Sequence, residues 1–455
     1  MGRWGRFTVA GSVALGLVAA GLGAPAQAAP RSWPVTPGAV GSLYGSPDPG
    51  GLASVRVWGS AIWCYMQPTP DADVAANLHA ALAPTLDQAA AAGGTAIVTM
   101  GHPAPWVFEN HRRAVAPTKL WACGDHASGV SIPSPASLKP RRSGAPSVQA
   151  QRWADYVGSV VDFVTARYEG RLDVVLETWN EPNLSSGLNY KLRIPGAART
   201  MKQAVSALHT YDSIAYDVIR DKGARGTVSL GSSALFTRAN SFSTRYLQAH
   251  SKKRRINAIH VNVYGFNGKN ATKMAADWDR RVAKFRKRVV KFRKLRSLPM
   301  RVTEANLNLV NRNRNRTNLR TSTARPAAQR RLATATQMNA YYWGYSSVHW
   351  LVPWRPEQTA VHVRSEPGNP ARDGLAVLQG ALQGSTYRGC SQRKRLRTCT
   401  FVAPSGARAR VLWRTSGSTK VRLSRRTEVL TMNGTTRTFG RGTRIKVGTT
   451  PVVLR

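Results

Sequence analysis

The decapeptide Val174-Val-Leu-Glu-Thr-Trp-Asn-Glu-Pro-Asn183 decides how this chain is read. A run of β-branched and aliphatic residues ends abruptly in Trp179-Asn180-Glu181-Pro182-Asn183, so a strand is predicted from Leu172 to Trp179. Glu181 then falls just past the strand's C-terminal end. In parallel barrels of alternating strands and helices, that end is the face where catalytic side chains gather. Pro182 has a fixed φ, which holds the backbone as the strand exits and keeps Glu181 off a mobile loop.

The same alternation extends on both sides of this stretch. Strands are predicted at Ala53–Gly59, Thr95–Gly101, Thr227–Ser232, Ile256–Gly265, Met300–Glu304 and Ser347–Val352, with a first one near Val40–Tyr44. Helices are predicted between them, at Asp71–Ala92, Ser147–Tyr168, Ala197–Lys222, a short segment around Tyr246, Asp277–Arg296 and Ala327–Trp343. This order predicts an α/β fold, a (β/α)8 TIM barrel over residues 30–375. In Asp277–Arg296, Trp278, Val282, Phe285, Val289, Phe292 and Arg296 recur at spacings of four and three, giving one apolar face with Lys and Arg over the remainder. Beyond about Leu375 the period becomes two, at Ala409–Trp413, Lys420–Leu423, Arg444–Val447 and Val452–Leu454. Residues 376–455 therefore predict a small C-terminal antiparallel β-sandwich domain.

At the other end, Arg3 and Arg6 precede the apolar run Phe7–Leu22, and Ala26-Gln27-Ala28 offers a cleavage site. These features predict a signal peptide over residues 1–29 and a secreted, extracellular protein. No transmembrane segment is expected, because no later run reaches the length a spanning helix needs. In an oxidising compartment the four cysteines read as two disulfides, Cys64–Cys123 and Cys390–Cys399. No Cys-x-x-Cys or His pair has zinc-ligand spacing, so no metal or other cofactor is expected.

Lys and Arg number 66 against 22 Asp and Glu, a formal net charge of +44. The excess is concentrated: Lys252–Arg331 holds 24 basic and 3 acidic residues, and Leu378–Arg455 holds 17 basic residues with Glu428 as the sole acid. Such a surface attracts polyanions. No helix-turn-helix, RNA-recognition or zinc-finger pattern accompanies it, which excludes a specific nucleic-acid reader. An anionic polysaccharide or cell-wall polymer is the partner that the charge suggests. The C-terminal domain and the Asp277–Arg296 helix would form its surface, with Arg393, Lys394, Arg395 and Arg397 included.

A second carboxylate at a strand end is Glu304, in Met300-Arg-Val-Thr-Glu-Ala-Asn306. Cleaving a glycosidic bond needs a proton on the leaving oxygen and stabilisation of an oxocarbenium-like transition state, and two carboxyl groups supply both. A retaining pair stands about 5–5.5 Å apart and an inverting pair about 6.5–9.5 Å.

Trp179-Asn180-Glu181-Pro182-Asn183 resembles the acid/base motif at the fourth strand of clan A glycoside hydrolases, and Thr303-Glu304 resembles the nucleophile at their seventh. The likeness runs towards family 39, the xylosidase and iduronidase family, and its actinobacterial relatives. Val55-Arg-Val-Trp58 is similar to the second strand, Val98-Thr-Met-Gly101 with Pro105-Trp106 to the third, Ala258–Tyr264 to the sixth and His349-Trp350 to the eighth. The resemblance implies that Arg56 holds Glu304 ionised, that Tyr264 hydrogen-bonds it, and that Asn180 meets the sugar 2-hydroxyl. It implies stacking faces at Trp106, Trp350 and Trp354, and a place for Asn262 in the pocket. Gly59, Gln67 and Asn262 depart from the family's common Asp, Glu and His. The expected function is a secreted retaining glycoside hydrolase acting on a poly- or oligosaccharide by double displacement. The alternative is a catalytically weak or inactive barrel that binds anionic polymer through its basic surface.

Overall fold

The computed structural model describes residues 32–36, 39–43, 53–108, 131–184, 188, 190, 196–237, 241–265, 271–307, 326–351, 361, 363 and 368–455; the predicted signal peptide, Cys123 and Trp354 lie outside them. A short strand, β1 (Trp33–Pro34), comes first and belongs to a C-terminal sheet. The central sheet is made of β2 (Val40–Leu43), β3 (Ser54–Val57), β4 (Thr95–Thr99), β5 (Asp173–Glu177), β6 (Val228–Leu230), β7 (Leu235–Phe236), β8 (Ile259–Gly265), β9 (Met300–Leu307) and β10 (Tyr345–Leu351). All its pairings are parallel, in the order β6-β5-β4-β3-β2-β10-β9-β8-β7. The two end strands are neighbours in sequence. Gly231 bridges to Ala258 just before β8 and Ala234 bridges to Asn180 just after β5, so residues 228–236 touch both ends and the sheet curls back on itself.

Helices Val74–Ala91, Val148–Tyr168, Met201–Asp221, Ser241–Lys252, Ala271–Val289 and Pro326–Tyr342 alternate with these strands. Helices outside and packed side chains inside bury both faces of a parallel strand. Accordingly every residue of β3 and β8 is buried. Asp73, Ser147 and Thr200 start three of the helices, each accepting the backbone N–H three residues on, a cap that contributes about 1 kcal/mol. The basic helix ends at Val289 rather than Arg296. A series of tighter bonds follows, from Phe292 N–H to Val289 and from Leu295 N–H to Phe292. These turns keep Leu295 buried and Phe292 packed against the core, so the apolar face outlasts the helix.

The barrel interior holds two imidazoles in slots left by glycines. A Cβ on Gly231 would lie 2.2 Å from the His260 ring, and one on Gly41 would lie 2.5 Å from that of His349. No larger residue fits either position while these rings are in place.

The C-terminal sheet adds β11 (Thr386–Arg393), β12 (Leu396–Val402), β13 (Arg408–Arg414), β14 (Thr419–Arg422), β15 (Thr427–Thr431), β16 (Thr436–Phe439), β17 (Arg444–Val447) and β18 (Val452–Leu454). Seven strands pair antiparallel in the order β1-β11-β12-β13-β18-β15-β16, and β14 and β17 form a separate pair. Cys390 and Cys399 sit opposite each other in the β11–β12 register and are bonded as expected. Cys64 is also disulfide-bonded. Along β13 the side chains divide between two cores. Val411 and Trp413 pack with Tyr341 and Tyr342 of the barrel helix and with Leu378 of helix Pro370–Leu382, whereas Leu412 packs with Ile445 and Val447 of the separate pair. The strand that precedes the barrel also joins this sheet, since Trp33 pairs with Tyr387 and stacks on it at 3.9 Å. Helix Pro370–Leu382 runs across the expected boundary at residues 375–376.

Arg397 locks the seam between barrel and C-terminal sheet. Its guanidinium makes two 2.9 Å bonds to Asp279 and one of 2.7 Å to Asn339, and lies 4.0 Å from the centre of the Tyr342 ring. The expected polyanion-facing quartet therefore divides: Arg393, Lys394 and Arg395 are exposed, but Arg397 is buried and already bound. Removing one partner of a buried ion pair leaves the other uncompensated, so R397A should lose about 3 kcal/mol of stability in urea unfolding, the low end because Asp279 keeps some exposure. An unchanged unfolding midpoint would mean that the seam is held by its apolar contacts alone.

Candidate active site

Glu181 is set by a backbone held from the neighbouring strand. The Glu181 N–H donates to the Ala234 carbonyl at 2.8 Å, and the Ala234 N–H to that of Trp179 at 2.9 Å. Asn183 closes the exit with both ends of its amide, accepting from Phe236 N–H at 2.9 Å and donating to Phe236 O at 2.7 Å. Between these clamps Glu181 has φ 46°, a left-handed conformation that costs a non-glycine residue about 1–2 kcal/mol. The surrounding bonds hold that strain in place, a state that clusters at functional sites.

Arg56, on β3, is fully buried and meets three side chains. Its Nε donates to Glu177 at 2.7 Å, its second terminal nitrogen to Glu177 at 3.3 Å and to Asn180 Oδ1 at 2.9 Å, and its first to Glu304 at 3.3 Å. Asn262, on β8, lies at the centre. Its Nδ2 is 3.0 Å from a Glu181 oxygen, 3.1 Å from a Glu304 oxygen and 3.1 Å from Asn180 Oδ1. The Thr303 hydroxyl fixes the Asn262 amide by donating to its Oδ1 at 2.9 Å. Asn180 Oδ1 likewise takes two donors, so its nitrogen is turned the other way, as a donor.

Glu304 reaches this cluster through a bulge. Val261 pairs with Val302 but Asn262 pairs with Glu304, and on the other side Val348 pairs with Val302 while Trp350 pairs with Ala305. Both neighbours skip one residue of β9 at the same place. An extra residue shifts the alternation of side chains, so Glu304 rather than Thr303 stands level with Asn262.

The electrostatics follow from burial. Burial alone would raise the Glu177 carboxyl, but Arg56 and His260, 3.7 Å away, hold it down at about 2. Glu304 is pushed up to about 8, first by burial and then by the charge of Glu181; Arg56 opposes this without prevailing. The expectation that Arg56 keeps Glu304 fully ionised is thus corrected, because the arginine is engaged mainly by Glu177. The imidazole of His349 is driven down to about 3 by burial and faces the Val302 carbonyl at 3.3 Å, so it is neutral.

The remaining expected residues are spread more widely. Tyr264 is buried on the same face of β8 as Asn262, its ring 6.1 Å from that of Phe236. Trp106 is half-buried, donates to Gln67 O at 2.9 Å, and has the Arg152 guanidinium over its ring at 5.1 Å, which covers one stacking face. Trp350 is fully buried. Trp153 is buried in the core as predicted, and Trp58 packs against it. Two departures from the family pattern have local causes. Gly59 has φ 99°, and Gln67 accepts from Trp63 Nε1 at 2.8 Å. The sequence assigned no role to Glu177, and Asn183 and Thr303 stood there only as members of their motifs; the signal for Glu177 was a carboxylate closing the apolar run Val174–Leu176.

The fold is one that glycoside hydrolases carry. It is similar to that of a family 39 glycoside hydrolase from Bacteroides cellulosilyticus WH2 (TM-score 0.55, 14% identity, over 92% of this chain and 80% of that one). It is also similar to that of a glucosidase from Croceicoccus marinus (TM-score 0.53, 11% identity, over 92% and 95%). No family model and no curated protein matches the sequence.

The raised Glu304 carboxyl makes a prediction with a definite sign. The folded chain keeps a proton there that the unfolded chain releases above about 4.5, so ionising Glu304 weakens the fold progressively as pH rises towards 8. E304Q should therefore gain in melting temperature relative to wild type between pH 5 and pH 8. A difference that does not vary with pH would mean that Glu304 ionises normally.

Proposed function

We propose that this protein is a secreted retaining glycoside hydrolase that cleaves O-glycosidic bonds of a poly- or oligosaccharide, with Glu181 as acid/base and Glu304 as nucleophile. The observation that carries the reading is the convergence of both carboxylates on Asn262. Two oxygens lying 3.0 and 3.1 Å from one nitrogen are separated by at most the sum of those distances, 6.1 Å. So close an approach of the two carboxylates supports a retaining pair, at about 5–5.5 Å, over an inverting pair at about 6.5–9.5 Å.

In this reading Glu304 attacks the anomeric carbon while Glu181 protonates the leaving oxygen. Water then enters against the covalent intermediate as Glu181 takes the proton back. Asn180, its nitrogen presented as a donor, bonds the sugar 2-hydroxyl. Tyr264, Trp106, Trp350 and Trp354 line or support the pocket. Reading β6 and β7 as two halves of one interrupted strand makes the sheet an eight-stranded (β/α)8 barrel. The β14–β17 pair then serves as the second layer of a reduced β-sandwich. Residues 1–29 as a signal peptide, with Cys64–Cys123 as the second disulfide, fit export to an oxidising compartment.

Leaving-group dependence tests the roles. E181A should lose about 10²–10⁴-fold on an alkyl or phenyl glycoside but much less on a dinitrophenyl glycoside, whose leaving group needs no proton. E304A should lose both activities, and the first sugar released by wild type should keep its anomeric configuration. Inversion would overturn the pairing. A wild type that turns over no glycoside would leave the other reading, a barrel that binds anionic polymer without cleaving it.

A further inference from the structure

A groove of about 530 Å³ runs along the outer wall of the barrel, between helix Ala271–Val289 with its following turn and Trp343. Arg280, Lys284, Lys287, Arg288 and Lys291 line it. Their spacing of four, three, one and three residues puts all five on one side, and from Arg280 to Arg288 the row covers about 12 Å of helix axis. Like charges three and four apart repel by a few tenths of a kcal/mol per pair, so an isolated helix gains nothing from this arrangement.

The groove contains one acid, Asp279, which does not balance them. Both of its oxygens are held by Arg397 at 2.9 Å, and one also accepts Trp343 Nε1 at 2.8 Å. Among the described residues, no carboxylate lies within salt-bridge distance of Lys284, Lys287 or Lys291. The same contacts hold the half-buried Trp343 ring in place, with Tyr342 edge-on to it at 5.0 Å. A fixed aromatic plane beside a row of uncompensated ammonium groups matches a ligand with flat apolar ring faces and regularly spaced anions.

We propose that this groove is a second, non-catalytic binding site for a polyanionic glycan, a chain of uronic-acid type whose rings meet Trp343 and whose carboxylates meet the lysines. The site is on the outside of the helix that links β8 to β9, apart from Glu181 and Glu304. Its occupation therefore does not depend on the catalytic reading, and failure of either leaves the other standing.

The test uses the full chain and polygalacturonate as the probe. K284Q/K287Q/K291Q should weaken binding about tenfold or more at 50 mM salt and flatten its salt dependence, since fewer counterions are displaced. K284R/K287R/K291R should retain it. The control R408Q/R410Q/R437Q removes three exposed cations from the C-terminal sheet and should change affinity less than about threefold, whereas diffuse attraction would treat the two sets alike. Equal losses in both Gln variants would overturn the proposal. So would binding of neutral dextran as tight as that of polygalacturonate. Duplex DNA bound equally well, with the same loss in the groove variant, would make the groove a general polyanion surface and overturn its assignment to a glycan.

Discussion

Everything in the barrel interior depends on a guanidinium that has no contact with water. Burying an ion costs several kcal/mol unless its hydrogens are matched by charge and geometry. Arg56 meets that demand chiefly through Glu177, on the strand two places away, with two bonds that leave the pair close to neutral. Only one terminal nitrogen remains for Glu304, at 3.3 Å. A third carboxylate, Glu181, stands nearby, and its charge adds to burial in raising Glu304 to about 8. Two full negative charges this close together are carried only with difficulty.

Donors act against that rise. One Glu304 oxygen receives both Arg56 and Asn262. Hydrogen bonds and positive charge favour the ionised form, so these two offset part of what burial and Glu181 impose on Glu304 without cancelling it. Under the double-displacement reading, esterifying Glu304 removes its charge from beside Glu181, which then serves as the base. Asn262 couples the two because it touches both, and Thr303 keeps its amide from turning over.

The elements of this site that the sequence disclosed are those where local pattern and geometry agree. Glu181 follows an apolar strand and precedes a proline, and Glu304 stands in a region with few acids, although β9 runs on past it to Leu307 rather than ending there. Glu177 shows in the sequence only as a carboxylate closing an apolar run, and the salt bridge to Arg56, 121 residues earlier, gives it meaning. The bulge at Thr303 has no sequence mark either. Plain alternation would put Thr303 and Asn262 level, and the extra residue is seen only in the register with both neighbouring strands. Four C-terminal strands were legible as period-two runs and are β13, β14, β17 and β18, but β11 was not, for another reason. β11 is largely polar and exposed, carries Arg388 and Arg393, and contains Gly389, so period-two hydrophobicity is weak there. β1 was invisible because two residues make no pattern, and it is defined by pairing with a segment more than 350 positions away.

A chain with three basic residues for each acidic one gives unusual weight to where its acids are. Asp212 is fully buried and gathers Thr178, Tyr246 and His250 behind the strand that delivers Glu181. Asp279 closes the seam between barrel and C-terminal sheet, and Glu177 neutralises the arginine inside the barrel. These three acids are spent on joints of the fold, so they cannot offset the cations outside. Surface ion pairs contribute little to stability in any case, about 0–1 kcal/mol each. The fold therefore loses little by leaving its outer helices basic, provided that the few interior carboxylates are matched. The separation also keeps the catalytic chemistry from following the surface charge: the interior groups sense Arg56 and one another at 3 Å through a medium of low polarity, whereas the outer cations act through solvent and are screened within about 10 Å at ordinary ionic strength.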